Sequence, residues 1–233
     1  MKKYRILVVG YCIILGAALL FIYLGDHTVM TIAENINEAA SQTIVIDPGH
    51  GGIDGGAISC TGIPESRFNL EISMRLRDLF RLLGYKTRMI RESDISIYKE
   101  GNTISSRKMS DMRERGRIVN ETENALLLSI HQNIFPESRF SGPQIFYTNR
   151  EESKILAQKL QNSLTDHLKP ENRRQAKKCS NVYLMENIQC TGVLIECGFL
   201  SNPEEEAKLK TDVYQKKLSA VIACTVIEYL ANT

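Results

Sequence analysis

Five short apolar runs, most of them separated by a helix-length segment, constrain this chain more than any other feature. Residues 42–47 are β-branched through Thr43–Ile46, and similar runs occupy 86–90, 125–130, 144–147 and 193–195. Runs of this length bounded by turn residues read as strands. Between the first two, Phe68, Ile72, Leu76, Leu79, Phe80 and Leu83 recur at helical spacing until Gly84 stops the helix. Residues 105–121 and 151–168 read as further helices, Pro203 as a helix start and 213–230 as a long closing helix. Residues 91–103 read as a loop, and the polar stretch 172–181 as a mobile one. Several strands are apolar on both faces and need cover on both sides. The pattern predicts an α/β fold, a mixed and mostly parallel sheet with helices on both faces.

The N-terminus carries a different signal. Lys2, Lys3 and Arg5 precede Ile6–Leu24, a run of 19 residues without a charge. As a helix it would span about 28 Å, close to the roughly 30 Å of a bilayer core. No small-x-small cleavage pattern follows it. Residues 1–25 therefore read as a membrane anchor, cytoplasmic at its basic end, with a cleaved signal peptide as the second reading. Residues 26–41 read as a polar tether and 42–233 as the exported domain. Tyr11 is too large to precede a lipidated cysteine at Cys12. The formal charge of +2 rests on that terminus: 29 basic residues less these three leaves 26 against 27 acidic ones, no footprint for nucleic acid. Of six cysteines, one is Cys12; the other five are odd in number and show no CxxC spacing, so neither a disulfide framework nor a zinc ribbon is indicated. Cys197 and Cys224 read as core residues, and a single disulfide among Cys60, Cys179 and Cys190 is compatible with the sequence.

Three of the expected strands run into a chemically capable side chain. "IVIDPGHGGIDGGA" carries the first into a glycine turn holding His50, "SIHQN" ends the third on His131, and the last ends at Glu196. Functional groups in open α/β sheets collect beyond the carboxyl ends of the strands. Glu65, at the beginning of the helix that returns from the first strand, can reach the same edge. Two histidines and one carboxylate make a catalytic zinc shell with a fourth position for water, whose pKa zinc lowers from about 15.7 towards ~7. A second carboxylate is then needed to carry the proton. On chemistry alone Glu65 and Glu196 fill these two roles in either order. Glycines around His50 allow close backbone approach.

Plainer readings cover the rest. His27 lies in the tether, and His167 suits the negative end of its helix. Asp47 and Asp54 read as turn formers, with Asp47 as a second-choice partner that orients His50. The glycine loop lacks the Gly-Lys-Ser/Thr ending of a phosphate-binding loop. Ser129 lies a layer deeper than His131, which is poor geometry for a dyad.

The blocks "VIDPGHGGIDGGA", "SIHQN" and "VLIECGFLSNPEEEAKLK", with "YQKKLSAVIACTVIEYL" as closing helix, resemble the signature blocks of the zinc-dependent N-acetylmuramoyl-L-alanine amidases, the amidase-3 family. The resemblance runs from Gln42 to Leu230. It implies hydrolysis of the amide between N-acetylmuramic acid and L-alanine in peptidoglycan, zinc on His50, Glu65 and His131, and Glu196 as the catalytic carboxylate. It also matches Arg115 and Asn120 to a pair read as scaffold. Gln132 stands where an alanine is usual, and Thr191 where a proline is common; both bear on substrate contacts. Residues 133–143 leave no room for the regulatory helix of some relatives. An anchor, one catalytic domain and no wall-binding repeats is a layout similar to that of amidases acting in spore cortex maturation. That implies muramic-δ-lactam formation for germination, with the glycan strand and its stem peptide as substrate, the membrane reached through the N-terminal segment, and room for an accessory protein partner. Two rivals are a zinc peptidase acting on stem-peptide bonds and a non-catalytic wall-binding protein; an intact His50, Glu65, His131 and Glu196 argues against the second.

Overall fold

The strands are β1 (Thr43–Pro48), β2 (Lys86–Met89), β3 (Ala125–Asn133), β4 (Gln144–Tyr147), β5 (Lys177–Lys178) and β6 (Thr191–Phe199). They form one six-stranded sheet in the order β2-β1-β3-β6-β4-β5 in the computed structural model, which describes residues 41–232. β1 pairs parallel with both β2 and β3, β3 pairs parallel with β6, and β4 meets β6 antiparallel. The expected mixed, mostly parallel sheet is what the chain forms. The expected anchor at 1–25 and, Ser41 apart, the tether lie outside the described residues. No helix among the described residues is long and apolar enough to cross a membrane.

The helices are α1 (Glu65–Leu82), α2 (Ile104–Asn120), α3 (Glu151–Leu168), α4 (Tyr183–Asn187), α5 (Pro203–Leu209) and α6 (Asp212–Leu230). Side chains alternate between the two faces of a strand, so the sheet sorts its residues by parity. Val45, Leu127 and Leu194 pack with Val119 of α2 and Leu184 of α4. Ile44, Ile46, Leu126, Leu128, Val193 and Ile195 alternate to the other face, where α1, α3 and α6 pack. Phe68, Ile72, Leu76 and Phe80 are the buried stripe of α1, each contributing on the order of 1.5–3 kcal/mol by leaving water. Leu83, expected to extend that stripe, is half exposed, because the helix ends at Leu82 and Gly84 turns the chain at φ +85°.

Three helix starts among the described residues carry a side-chain cap. Thr103 and Ser106 form a reciprocal capping box on α2. Asn202 accepts from the Glu205 amide at 3.0 Å ahead of Pro203, the first residue of α5. Three further expectations are corrected, and one helix, α4, was not expected. The polar stretch 172–181 is not simply loose: it supplies edge strand β5, and the buried Asn172 donates from Nδ2 to the Pro143 carbonyl at 2.9 Å. α4 is too short to leave a readable period. Cys224 is exposed rather than core, since it lies on the outward side of α6, whereas Cys197 is fully buried. Cys60, Cys179 and Cys190 are all free: Cys60 is exposed, and the other two pack in or against the apolar cluster under α2, where burial pushes both thiols up to about 11.

Candidate active site

Parity also decides which groups meet at the carboxyl ends. Asp47, Ser129, His131 and Glu196 fall on the α2 and α4 face with Val45, Leu127 and Leu194. His131 and Glu196 are register partners on neighbouring parallel strands, so their side chains leave the sheet side by side. Both strands continue past these residues, β3 to Asn133 and β6 to Phe199, two or three residues beyond the expected ends. The ladder slips between His131 and Asn133, and such irregularities re-aim side chains.

The ladder of the first strand ends just past Pro48, with the Gly49 amide on the Ile130 carbonyl at 2.9 Å. The carbonyls here are taken up by two buried arginines. Arg91 donates to Pro48, Gly49 and Ser66 carbonyls at 2.9–3.0 Å. Arg115 donates to the carbonyls of Pro48 at 3.0 Å and His50 at 2.7 Å, and pairs with Asp47 and Asp111. Buried carbonyls need such donors. Held this way, His50 sits at φ +60°, an unusual conformation for a residue with a side chain. Gly49 and Gly56 are required by space: a Cβ on Gly49 would lie 2.3 Å from the His131 ring, and one on Gly56 2.7 Å from Glu65 Oε2 and His50.

Glu65 is the first residue of α1, where the helix dipole favours a carboxylate. Its Oε1 lies 3.0 Å from His131 Nδ1 and accepts from the Gln132 amide and Asn69 Nδ2. Its Oε2 lies 3.2 Å from His50 Nε2 and accepts from the Ala57 amide. Burial raises the Glu65 carboxyl, but bonds from the two imidazoles outweigh it and hold the group well below the usual carboxylate range. Burial lowers the His50 imidazole; the Glu65 and Asp54 carboxylates outweigh it and lift it to about 9.

His50 Nδ1 lies 2.9 Å from Asp54 Oδ2, and Lys108 Nζ lies 2.7 Å from Asp54 Oδ1. Asp54, read from the sequence as a turn former, is thus the group that orients His50. Asp47 is neither a turn former nor a partner of His50: it lies inside β1, fully buried, against Arg115 and the Ser129 hydroxyl at 2.8 Å. Ser129 donates to Asp47, so it forms no dyad with His131. Asn120 anchors the chain after α4, donating to the Asn187 carbonyl at 3.0 Å and accepting from the Gln189 amide at 2.9 Å. Arg115 and Asn120 are scaffold, as the sequence implied. Arg91 was not singled out there, because a basic residue at a strand end has no local pattern.

Whether these residues suit a metal can be tested on their own geometry. One ligand atom from each of His50, Glu65 and His131 lies within 4.8 Å of the others. Asp54 on Nδ1 leaves Nε2 of His50, the nitrogen that faces Glu65 Oε2, as its ligand atom. Beside them Glu196 Oε2 is cut off from solvent and has no hydrogen-bond partner, and burial pushes its carboxyl up to about 7. Buried polar oxygens are rarely left unpartnered. Two imidazoles, one carboxylate and an orphaned second carboxylate fit zinc with water or substrate in the remaining position.

A mixed α/β sheet with this group at its edge has the layout of a hydrolase. The chain belongs to the N-acetylmuramoyl-L-alanine amidase family, whose Amidase_3 model matches residues 44–228, and it is an enzyme of that class. It is 38% identical over 195 residues to the germination-specific N-acetylmuramoyl-L-alanine amidase of Bacillus subtilis, covering 83% of this chain and 81% of that protein. Among solved structures it is similar to the CwlD amidase from Clostridioides difficile in complex with the GerS lipoprotein (TM-score 0.79, 34% identity, 82% of this chain and 100% of that one). It is also similar to an N-acetylmuramoyl-L-alanine amidase from Clostridium difficile 630 (TM-score 0.71, 29% identity, 82% and 97%).

Proposed function

We propose that this chain is a zinc-dependent amidase that cuts between N-acetylmuramic acid and L-alanine in peptidoglycan, outside the cytoplasm, during spore cortex maturation. His50, Glu65 and His131 hold the metal. Zinc, when bound there, supplies polarisation of the scissile carbonyl and a water of lowered pKa. Glu196 is the catalytic residue: it accepts the proton that the attacking water sheds and returns it to the departing alanine nitrogen. The observation that carries this reading is the Glu196 Oε2, buried, without a partner and in register with His131. Asp54 keeps the His50 ring aimed, and the two buried arginines hold the loop beneath it.

Likeness to a germination-specific amidase of Bacillus subtilis and to CwlD supports a role in muramic-δ-lactam formation. CwlD was crystallised with the GerS lipoprotein, which supports an accessory partner for this chain too. The uncharged run Ile6–Leu24 supports an anchor at residues 1–25, with 26–41 as tether and 42–233 as the catalytic domain. The test is product analysis on purified muropeptides with metal content measured in parallel. Lactyl groups freed of peptide are expected, lost on chelation and restored by zinc. Shortened stem peptides would mark a peptidase instead. His131→Ala is expected to bind no stoichiometric zinc while keeping its fold by circular dichroism; full zinc retention would remove His131 from the shell.

A further inference from the structure

A cavity of about 300 Å³ opens beside His50 and His131. α2 supplies one wall through Arg107, Lys108 and Met112, and the segment entering α4 supplies another. Most charged groups on these walls are committed to each other. Asp47 and Asp111 are both paired with Arg115. Asp54 is paired with Lys108 and His50. Arg107 is the exception. Its Nε donates to the Gly101 carbonyl at 3.0 Å, and its guanidinium carbon lies 5.4 Å from the centre of the Tyr98 ring. Its two terminal nitrogens have no acceptor, and it has no acidic partner, among the described residues. The head group is therefore held in place with its hydrogen-bonding edge open.

A planar guanidinium fork matches a carboxylate with two parallel bonds, which a lysine ammonium cannot do. A peptide carboxylate drawn into a part-apolar cavity needs such a counter-charge. The scissile amide must reach His50 and His131, and this cavity is space beside them that the peptide beyond it can enter. We propose that Arg107 is a specificity residue that receives a free carboxylate of the stem peptide on the leaving side of the cut. This rests on the amidase reading above. Arg107 takes no part in the proton transfers; it seats the peptide.

The test uses the full zinc-loaded chain, wild type and Arg107→Met, on two muropeptides that differ only in whether the stem-peptide carboxylates are free or amidated. On the free-carboxylate substrate Arg107→Met is expected to lose roughly 10–100-fold in kcat/KM, mostly in KM, as one charge-assisted pair warrants. On the amidated substrate the variant and the wild type are expected to match within about twofold. Arg107→Lys is expected to recover part of the loss, and unchanged zinc content reports an intact site. An equal loss on both substrates, or no loss on either, overturns the assignment and leaves the amidase reading standing. A wild-type chain that cuts neither muropeptide overturns both.

Discussion

Strands β1, β3 and β6 each contain two regions of opposite character a few residues apart. Ile44, Val45, Ile46, Leu126, Leu127, Leu128, Val193 and Ile195 are completely or almost completely buried hydrocarbon. Beyond them come Asp47, His50, His131 and Glu196, with charged partners for the first three, tight glycines and one non-glycine residue at positive φ. The first region is held by burial, which has no direction and scales with area. The second is held by bonds with direction, most of its donors and acceptors paired and Glu196 Oε2 left without a partner. The core therefore accepts any apolar side chain of the right volume, whereas the edge accepts only the right atom in the right place. A change in the first should cost stability alone, and a change in the second should cost chemistry or metal with the fold left standing.

That contrast can be broken in several ways. The largest expected effect is Glu196→Gln, which keeps shape and zinc but removes the proton carrier: a drop of about 10²–10⁴ in kcat, with an unchanged melting curve. Turnover equal to the wild type would take Glu196 out of the chemistry. Leu127→Ala, in the core two layers below His131, should destabilise by about 2–5 kcal/mol in denaturant while the folded fraction keeps its specific activity. A specific activity that fell with the stability would mean that core and edge are not separable. Asp54→Asn should weaken zinc binding roughly 10–100-fold, read by chelator competition; an unaltered affinity would leave Asp54 as a turn residue.

The smallest effect concerns pH in the metal-free protein. The fold raises the His50 imidazole from 6.5 to about 9. In that window the folded chain binds a proton that the unfolded chain has released, so this contribution to stability is fully present below pH 6.5 and is lost as pH rises through about 9. Metal-free wild type should lose melting temperature across that range more steeply than His50→Gln. Zinc should reverse the trend, because its ligands bind only when deprotonated. Identical slopes for the two proteins would count against the paired imidazole.

Much of this was legible in the chain. Runs such as Thr43–Ile46 and Ala125–Ile130 announce buried strands through length and β-branching, and the Phe68, Ile72, Leu76, Phe80 spacing announces the helix behind them. His50, His131 and Glu196 stood out because each follows such a run. Other features left no local trace. Leu83 and Cys224 look apolar enough for the core, but helix phase and helix end put them outside. Asp54 looked like any turn aspartate; its task follows only from the ring 2.9 Å away. Arg91 and Arg107 look like ordinary surface arginines. Of these two, one is 2% exposed and saturated with carbonyls, and the other lines the cavity with its terminal nitrogens unpaired among the described residues.

Taken alone, the order of residues determined the class of fold, the family and the short list of side chains able to bind a metal, since periodicity and chemical type are properties of neighbours along the chain. Which oxygen of Glu65 meets which imidazole, that Glu196 stands beside His131 without a partner, and that Arg115 reaches back to the His50 carbonyl were decided only when the strands came into register. Those contacts join residues from 15 to 66 positions apart, and no local rule of sequence encodes the distance between atoms that meet only through a folded sheet.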